Sequence, residues 1–276
     1  MSDEHLSSSI RLSTGYDMPR LGFGVYQNYT TKDSVLEAFS AGYRHIDTAQ
    51  AYKSEAHVGE AFRLSGLERG DVFITTKIIS KFHGYAKTAA AIDESLQKMQ
   101  FEYIDLFLIH DPHAGKDLRL ETYRALLDAR AAGKIRSIGV SNYGVHHLEE
   151  IVEAGLEKPS VNQIELHPFC QQTPIVEYCK AHGIVVQAYC PIIRGDTAHP
   201  VFTDLAQKYD RDGAQVLLRW SLQKGFVPLP KSATPSRIHS NACLWDFELS
   251  EDDMARIDAL DKGKEGCISW NPVDVS

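Results

Sequence analysis

Asp47, Tyr52, Lys77 and His110 are the residues of this chain whose types and spacing suggest proton transfer. Three of them close short apolar runs, and Tyr52 follows Asp47 by five residues. A tyrosine hydroxyl titrates near about pH 10, so donating a proton at neutral pH is helped by a positive neighbour. Lowering its pKa by about three units takes roughly 4 kcal/mol of differential interaction, which a desolvated lysine ammonium supplies. Lys77 is the expected source of that field, with Asp47 holding it charged and in place. His110 would orient an oxygen or help the proton move. Taken singly, Asp47 with Lys77 reads equally well as a structural ion pair, and Tyr52 as a rim aromatic. The convergence of all four favours chemistry.

For these groups to meet, the fold must bring the ends of successive apolar runs together. Candidate strands are Leu21–Gly24, Arg44–Asp47, Phe73–Lys77, Ile104–His110, Ile135–Val140, Val161–Glu165, Val185–Tyr189 and Phe226–Leu229. Helix-period segments lie between them, such as Ala86–Gln100 with Ala89, Ile92, Leu96 and Met99 on one face. Thr173-Pro174 and Thr234-Pro235 place a hydroxyl before a helix-starting proline, and Ser250 through Asp253 resembles a capping box. Eight strands alternating with helices predict an α/β fold, a (β/α)₈ TIM barrel over residues 1–276 as one domain. A doubly wound open sheet is the competing topology. Residues 10–21, with the turn Thr14-Gly15-Tyr16-Asp17, read as an N-terminal β-hairpin capping the barrel bottom. Chemistry in such barrels sits at the C-terminal strand ends. Here those ends are Asp47, Lys77, His110, Ser141-Asn142, Glu165, Tyr189 and Lys231.

Composition narrows the function. The chain has 276 residues and a net charge of −8 with no long charge run, which argues against nucleic acid as a partner. Five cysteines without a CxxC spacing read as reduced thiols of a cytoplasmic protein, not as a disulfide framework or metal site. The polar segment Met1–Ser9 is not a signal peptide, and no apolar run approaches the roughly 20 residues of a membrane span. An acidic surface and a self-contained barrel suggest a monomer.

A second constellation concerns phosphate. Gly22-Phe23-Gly24 begins like a dinucleotide fingerprint but lacks the third glycine, so a Rossmann reading is rejected. Those glycines are expected to turn the first strand sharply over the barrel mouth. In Lys231-Ser232-Ala233-Thr234-Pro235-Ser236-Arg237, an arginine falls in the first turn of a proline-started helix, where the macrodipole disfavours a cation. A bound anion reverses that preference, so Lys231, Ser232 and Arg237 make a phosphate site. A solvated arginine is the equal alternative from spacing alone.

Gly42-Tyr43-Arg44-His45-Ile46-Asp47-Thr48-Ala49, with Tyr52, resembles the signature of the aldo-keto reductases. Ile74–Lys77, Leu106–His110, Gly139–Asn142 and Asn162–Glu165 are similar to further blocks of that family in order, and the likeness runs from about Ile10 to Trp270. The resemblance implies NADPH-dependent reduction of a small-molecule aldehyde or ketone by hydride transfer to the carbonyl carbon. It implies Tyr52 as general acid, Lys77 and Asp47 as its tuning pair, and His110 as the substrate-orienting residue. It also implies Ser141, Asn142 and Gln163 on the nicotinamide carboxamide and Tyr189 stacked on the ring. Lys231, Ser232, Arg237 and Asn241 would take the adenosine phosphate, the basic pair favouring NADPH over NADH.

The chain departs from that family at several positions. Ile79 and Asp111 stand where pocket tryptophans are frequent, so the pocket should be wider and more polar. Asp111 either favours a charged His110 or points to solvent. Cys190 and Ile193 replace the serine and glycine of the pyrophosphate-covering loop, which predicts a loose grip, and Ser240 replaces an adenine-contacting acid. The short tail ending Trp270-Asn271-Pro272 resembles the microbial type, similar to 2,5-diketo-gluconate reductases, which take keto-acids, sugars and other compact carbonyls. Trp270 either caps the pocket, with Tyr26, or packs the tail onto the barrel.

Rival chemistries fit less well. No HxH pair is present for a metal-dependent hydrolase, and no metal site is expected. A glycosidase needs two facing carboxylates, and Glu165 alone does not supply them. A phosphate-binding isomerase leaves Tyr52 with Lys77 unexplained. A cofactor-binding regulatory protein with little turnover is the remaining alternative.

Overall fold

Runs such as Ile104–Ile109 and Ile135–Val140 are buried along nearly their whole length. A strand carries such a run when both of its faces are covered, as in a parallel sheet wrapped by helices. The computed structural model describes residues 5–276, so the first four residues of the polar N-terminal segment lie outside it. A two-stranded antiparallel hairpin of β1 (Ser9–Arg11) and β2 (Asp17–Pro19) comes first. Eight parallel strands follow: β3 (Phe23–Gly24), β4 (His45–Asp47), β5 (Phe73–Ile78), β6 (Ile104–Ile109), β7 (Ile135–Ser141), β8 (Val161–Glu165), β9 (Val185–Tyr189) and β10 (Val227–Pro228). Each pairs with the next in chain order, without the switch point of a doubly wound sheet.

The ring closes between the first and last strands. Gly22 N donates to Pro228 O (3.1 Å) and Gly24 N to Pro230 O (2.9 Å). Proximity requires the first glycine, and the second is tightly packed, a Cβ there meeting Leu229 O at 3.3 Å. A Cβ on Gly22 would stand 2.5 Å from Leu229 Cδ2 and 2.8 Å from His45 Nδ1. They serve a barrel seam, and the expected sharp turn over the mouth is corrected accordingly. The fold is the (β/α)₈ barrel.

The helices form the outer layer. They are α1 (Thr31–Ser40), α2 (Glu55–Ser65), α3 (Tyr85–Met99), α4 (Lys116–Ala131), α5 (Val145–Glu153), α6 (Thr173–Ala181), α7 (Pro200–Tyr209), α8 (Gly213–Gln223), α9 (Pro235–Ser240) and α10 (Glu251–Asp258). In α3 the inward stripe is Thr88, Ala91, Ile92, Ser95 and Met99, while Ala89 faces out. The stripe is rotated from the apolar reading because polar groups are satisfied inside it: Gln50 Nε2 donates to Ser95 Oγ, and Thr88 Oγ1 to Thr122 Oγ1. The expected threonine caps do not form. Gln172 precedes α6, and at α9 it is Ser232 Oγ that accepts from Thr234 N. Ser250 does cap α10, accepting from Asp253 N.

The hairpin plugs the barrel bottom. Met18 and Leu12 are buried against Phe73, Leu106, Leu108, Val161 and Val227, and Thr14 and Ser13 pair with Ser137 and Ser160 through their hydroxyls. With the bottom filled, the strand ends at the other face form the accessible mouth.

Candidate active site

The mouth assembles the proton-handling residues. Lys77, wholly buried on β5, donates from Nζ to Asp47 Oδ1 (2.5 Å) and to Thr48 O (2.9 Å). It also donates to the Tyr52 oxygen over a longer 3.4 Å. Tyr52 lies on the short 3₁₀ turn Gln50–Tyr52, which brings its hydroxyl 3.4 Å from His110 Nε2 at the end of β6. The four residues singled out from the sequence therefore meet around one hydroxyl.

Their electrostatics differ from expectation. Burial, with the Asp47 carboxylate close by, holds the Tyr52 hydroxyl well above its ordinary pKa. Lys77 approaches the phenol less closely (3.4 Å) than it approaches Asp47 (2.5 Å), and its pull does not offset burial. Lys77 itself is lowered by burial and raised by Asp47. His110 is pushed well below its usual range by burial and by Lys77, so the imidazole is neutral. Tyr52 is thus kept protonated, as a donor must be before it acts.

Asp111 corrects the reading at that position. It is buried, its Oδ2 accepting from Ser80 N and its Oδ1 from His113 N, both at 3.1 Å. It braces two loops and neither lines the opening nor points to solvent.

A polar chain lies beside this cluster. Tyr189 OH donates to Asn142 Oδ1 (2.8 Å), and Asn142 Nδ2 donates to His110 O (3.0 Å). Ser141 Oγ donates to Gln163 O, and Gln163 Nε2 donates to both Asp47 Oδ2 and Gln187 Oε1 (2.8 Å each). Asn142 adopts a left-handed backbone (φ 60°), which asparagine tolerates better than most residues. Gln187 was missed in the sequence. A glutamine in the middle of an apolar strand must find a buried partner, and that was the available signal.

Lys231 and Arg237 are exposed, and neither has an ion-pair partner among the described residues. The segment is fastened by Asn28, a further residue the sequence reading missed, whose Nδ2 donates to Ser232 O (3.2 Å). Asn241 is buried, yet its side-chain amide makes no hydrogen bond among the described residues. The macrodipole argument for Arg237 weakens, because α9 is only six residues long and its first and last turns overlap. Across the mouth, Cys190, Ile193 and Arg194 all have φ near +50°, followed by Gly195 at 91°. Ile193 is nevertheless buried, so packing holds a β-branched residue in a region it disfavours.

Two aromatic residues and Ile79 rim the opening. Tyr26 is exposed, with its ring 5.0 Å from that of Tyr52. Half of the Trp270 surface is exposed, and its ring stands edge-on to His110 (5.9 Å) and tilted against the exposed His113 (5.6 Å). Trp270 therefore reaches the mouth. Ile79, half-buried, precedes the turn Ser80–Phe82 on the same side as His110, whose N–H donates to Ile78 O.

Comparison with known proteins gives a consistent neighbourhood. The family described as Aldo/keto reductase family matches residues 20–262. The glyoxal reductase of Bacillus subtilis (strain 168) is 45% identical over 272 residues, covering 97% of each chain. An aldo-keto reductase from a Medee basin deep-sea metagenome library superposes with a TM-score of 0.93 at 37% identity, over 98% of this chain and all of that one. The Bombyx mori aldo-keto reductase, solved in complex with NADP, gives 0.87 at 35% identity over 94% of each. Among the described residues no helix is long and apolar enough to cross a membrane, and no cluster of metal-ligating side chains occurs.

Proposed function

Because the chain belongs to the aldo/keto reductase family, we propose that it reduces a compact aldehyde or ketone with NADPH, Tyr52 donating the proton. One observation carries the reading. The Tyr52 hydroxyl lies 3.4 Å from both Lys77 Nζ and His110 Nε2, at the accessible end of a barrel whose other end is plugged.

The chain's own residues divide the work. Tyr52, kept protonated by burial, gives its proton to the carbonyl oxygen as negative charge develops there. Lys77 stands ready to stabilise the phenolate that remains, and Asp47 holds Lys77 in position. Neutral His110 has one ring nitrogen available as a donor to orient the same oxygen. Tyr26, Ile79 and Trp270 line the entry. Asp111 acts only through the loops it braces.

NADPH, when bound, supplies the hydride that adds to the carbonyl carbon. The residues present fit it. Gln163 Oε1 makes no hydrogen bond among the described residues and is free to accept from an amide, beside Ser141 and Asn142. Tyr189 is fixed by Asn142, and its ring offers a face for stacking. Lys231 and Arg237 bring two unpaired cations, with Ser232 and Asn241, to an anionic group. The name of the Bacillus subtilis relative points to α-dicarbonyls within the compact class. Residues 1–276 are taken as one domain acting as a cytoplasmic monomer, a reading supported by the main apolar core, which reaches from Leu21 to Val273, and by five free thiols.

The test is NADPH consumption with a panel of aldehydes, α-keto esters, keto-acids and sugars, comparing wild type with Tyr52→Phe. Loss of the proton donor should lower kcat by about 10²–10⁴-fold while NADPH binding persists. Turnover within tenfold of wild type would remove Tyr52 from the role. Binding of NADPH without reduction of any carbonyl would favour the regulatory alternative.

A further inference from the structure

Beyond α10 the chain returns across the barrel mouth as a strap, and it is clamped to the corner that follows β8. Lys262 N donates to Phe169 O (2.9 Å), and Asp261 Oδ1 accepts from Gln171 N (3.1 Å). Gly266 lies so close to the Phe169 carbonyl that any Cβ there would overlap it. Glu165, fully buried at the end of β8, accepts from Ile268 N (2.5 Å) and Ser269 N (3.0 Å). Trp270, the next residue, stands against His110.

Two sulfurs meet inside this clamp. Cys170 is fully buried beside half-buried Cys267, for the two directly follow Phe169 and Gly266, whose backbones touch, and the thiols interact. The Cys267 sulfur also accepts from Asn271 Nδ2 at 3.0 Å. We propose that Cys267 and Cys170 are a hydroperoxide-oxidisable thiol pair whose disulfide locks the strap carrying Trp270 against the mouth of the site.

The partners are unequal, and that assigns their order. Cys267 is the one solvent reaches, and its sulfur accepts from Asn271 Nδ2, which favours the thiolate that must attack. Cys170 is shielded and serves as the resolving thiol. Cys267 gives up its proton and attacks one peroxide oxygen. The O–O bond breaks, leaving Cys267 as a sulfenic acid and the other oxygen as water once it takes up that proton. The Cys170 sulfur then displaces the hydroxyl, which leaves with the Cys170 proton as a second water while the S–S bond forms. Two electrons pass from the sulfurs to the peroxide. Burial raises both thiols, so oxidation is slower than in a sensor with a free thiolate.

The experiment treats the full chain with hydrogen peroxide, blocks remaining thiols with iodoacetamide and maps peptides without reductant. The expected result is joint loss of Cys170 and Cys267 alkylation and a cross-linked peptide pair that dithiothreitol releases. Amide exchange at Ile268 and Ser269 should slow by about tenfold. In Cys170→Ser, Cys267 should instead accumulate as a dimedone-reactive sulfenic acid. The idea is overturned if both cysteines stay alkylatable at a dose that oxidises the exposed Cys243, or if Cys267 oxidises while Cys170 remains free. A disulfide that leaves strap exchange unchanged overturns the lock. Only a change in turnover rests on the reductase reading. The mass and exchange readouts need no substrate, so failure of one idea is distinguishable from failure of the other.

Discussion

Replacing Asp47 with Asn tests how the Lys77 ammonium is kept charged inside the barrel. The two charged atoms lie 2.5 Å apart, with Lys77 wholly buried and Asp47 4% exposed. At an effective dielectric constant of about 20, charges at that separation attract by about 7 kcal/mol. Much of this offsets the desolvation of both groups, so stranding one partner is expected to destabilise the fold by about 3–5 kcal/mol. In Asp47→Asn, Lys77 keeps its bond to Thr48 O but loses the neighbour that raises its pKa, and burial acts unopposed. Its folded pKa then falls further below the unfolded value of about 10.4. Between those two values the unfolded chain binds more protons, so the variant's stability rises with pH and is lost as pH falls toward the folded pKa. Urea unfolding at about pH 7 and about pH 9 should therefore show a deficit that narrows at the higher pH by more than about 1 kcal/mol. Turnover should fall too, since Tyr52 loses its cationic neighbour. Stability within about 1 kcal/mol of wild type at both pH values would refute the reasoning.

Arg237→Ala should weaken NADPH binding by about 10–100-fold and NADH binding much less, because a charge-assisted bond to phosphate is lost. Equal weakening of both, read by fluorescence titration, would detach Arg237 from the phosphate. Gly22→Ala should destabilise by roughly 2–3 kcal/mol in chemical unfolding, since its Cβ would overlap Leu229 and His45. Ile193→Gly relieves a left-handed backbone but removes a buried side chain. The loss of burial should win by about 1–2 kcal/mol in thermal unfolding. The same variant should bind NADPH more tightly if Ile193 loosens the loop, and an unchanged dissociation constant would count against that role.

The barrel was legible because its strands are short apolar runs with polar ends, and the ends in order were Asp47, Lys77 and His110. The boundaries of the eight barrel strands agreed within two residues, since burial on both faces leaves little freedom for the pattern. Electrostatics were less legible. The sequence supplies the partners of Lys77 but not their distances or the burial that outweighs its pull on the phenol. Asp111 misled for a related reason: a carboxylate beside a catalytic residue looks available, yet two backbone amides already hold it. Glu165 was noticed only as a carboxylate too isolated for sugar chemistry. A charged residue ending an apolar strand needs donors, and these come from a tail about a hundred residues further along, which no local pattern encodes.

The glycine seam has a consequence for how the chain is made. The amides of Gly22 and Gly24 wait for carbonyls of Pro228 and Pro230, about two hundred residues downstream. Until a ribosome has released that last strand, β3 has a bare edge, and the nascent sheet can only be an open crescent. Contacts of such separation slow folding and lengthen exposure to aggregation. Molecules halted before Val227 lack the strand that completes the ring and leave two strand edges for other chains to join.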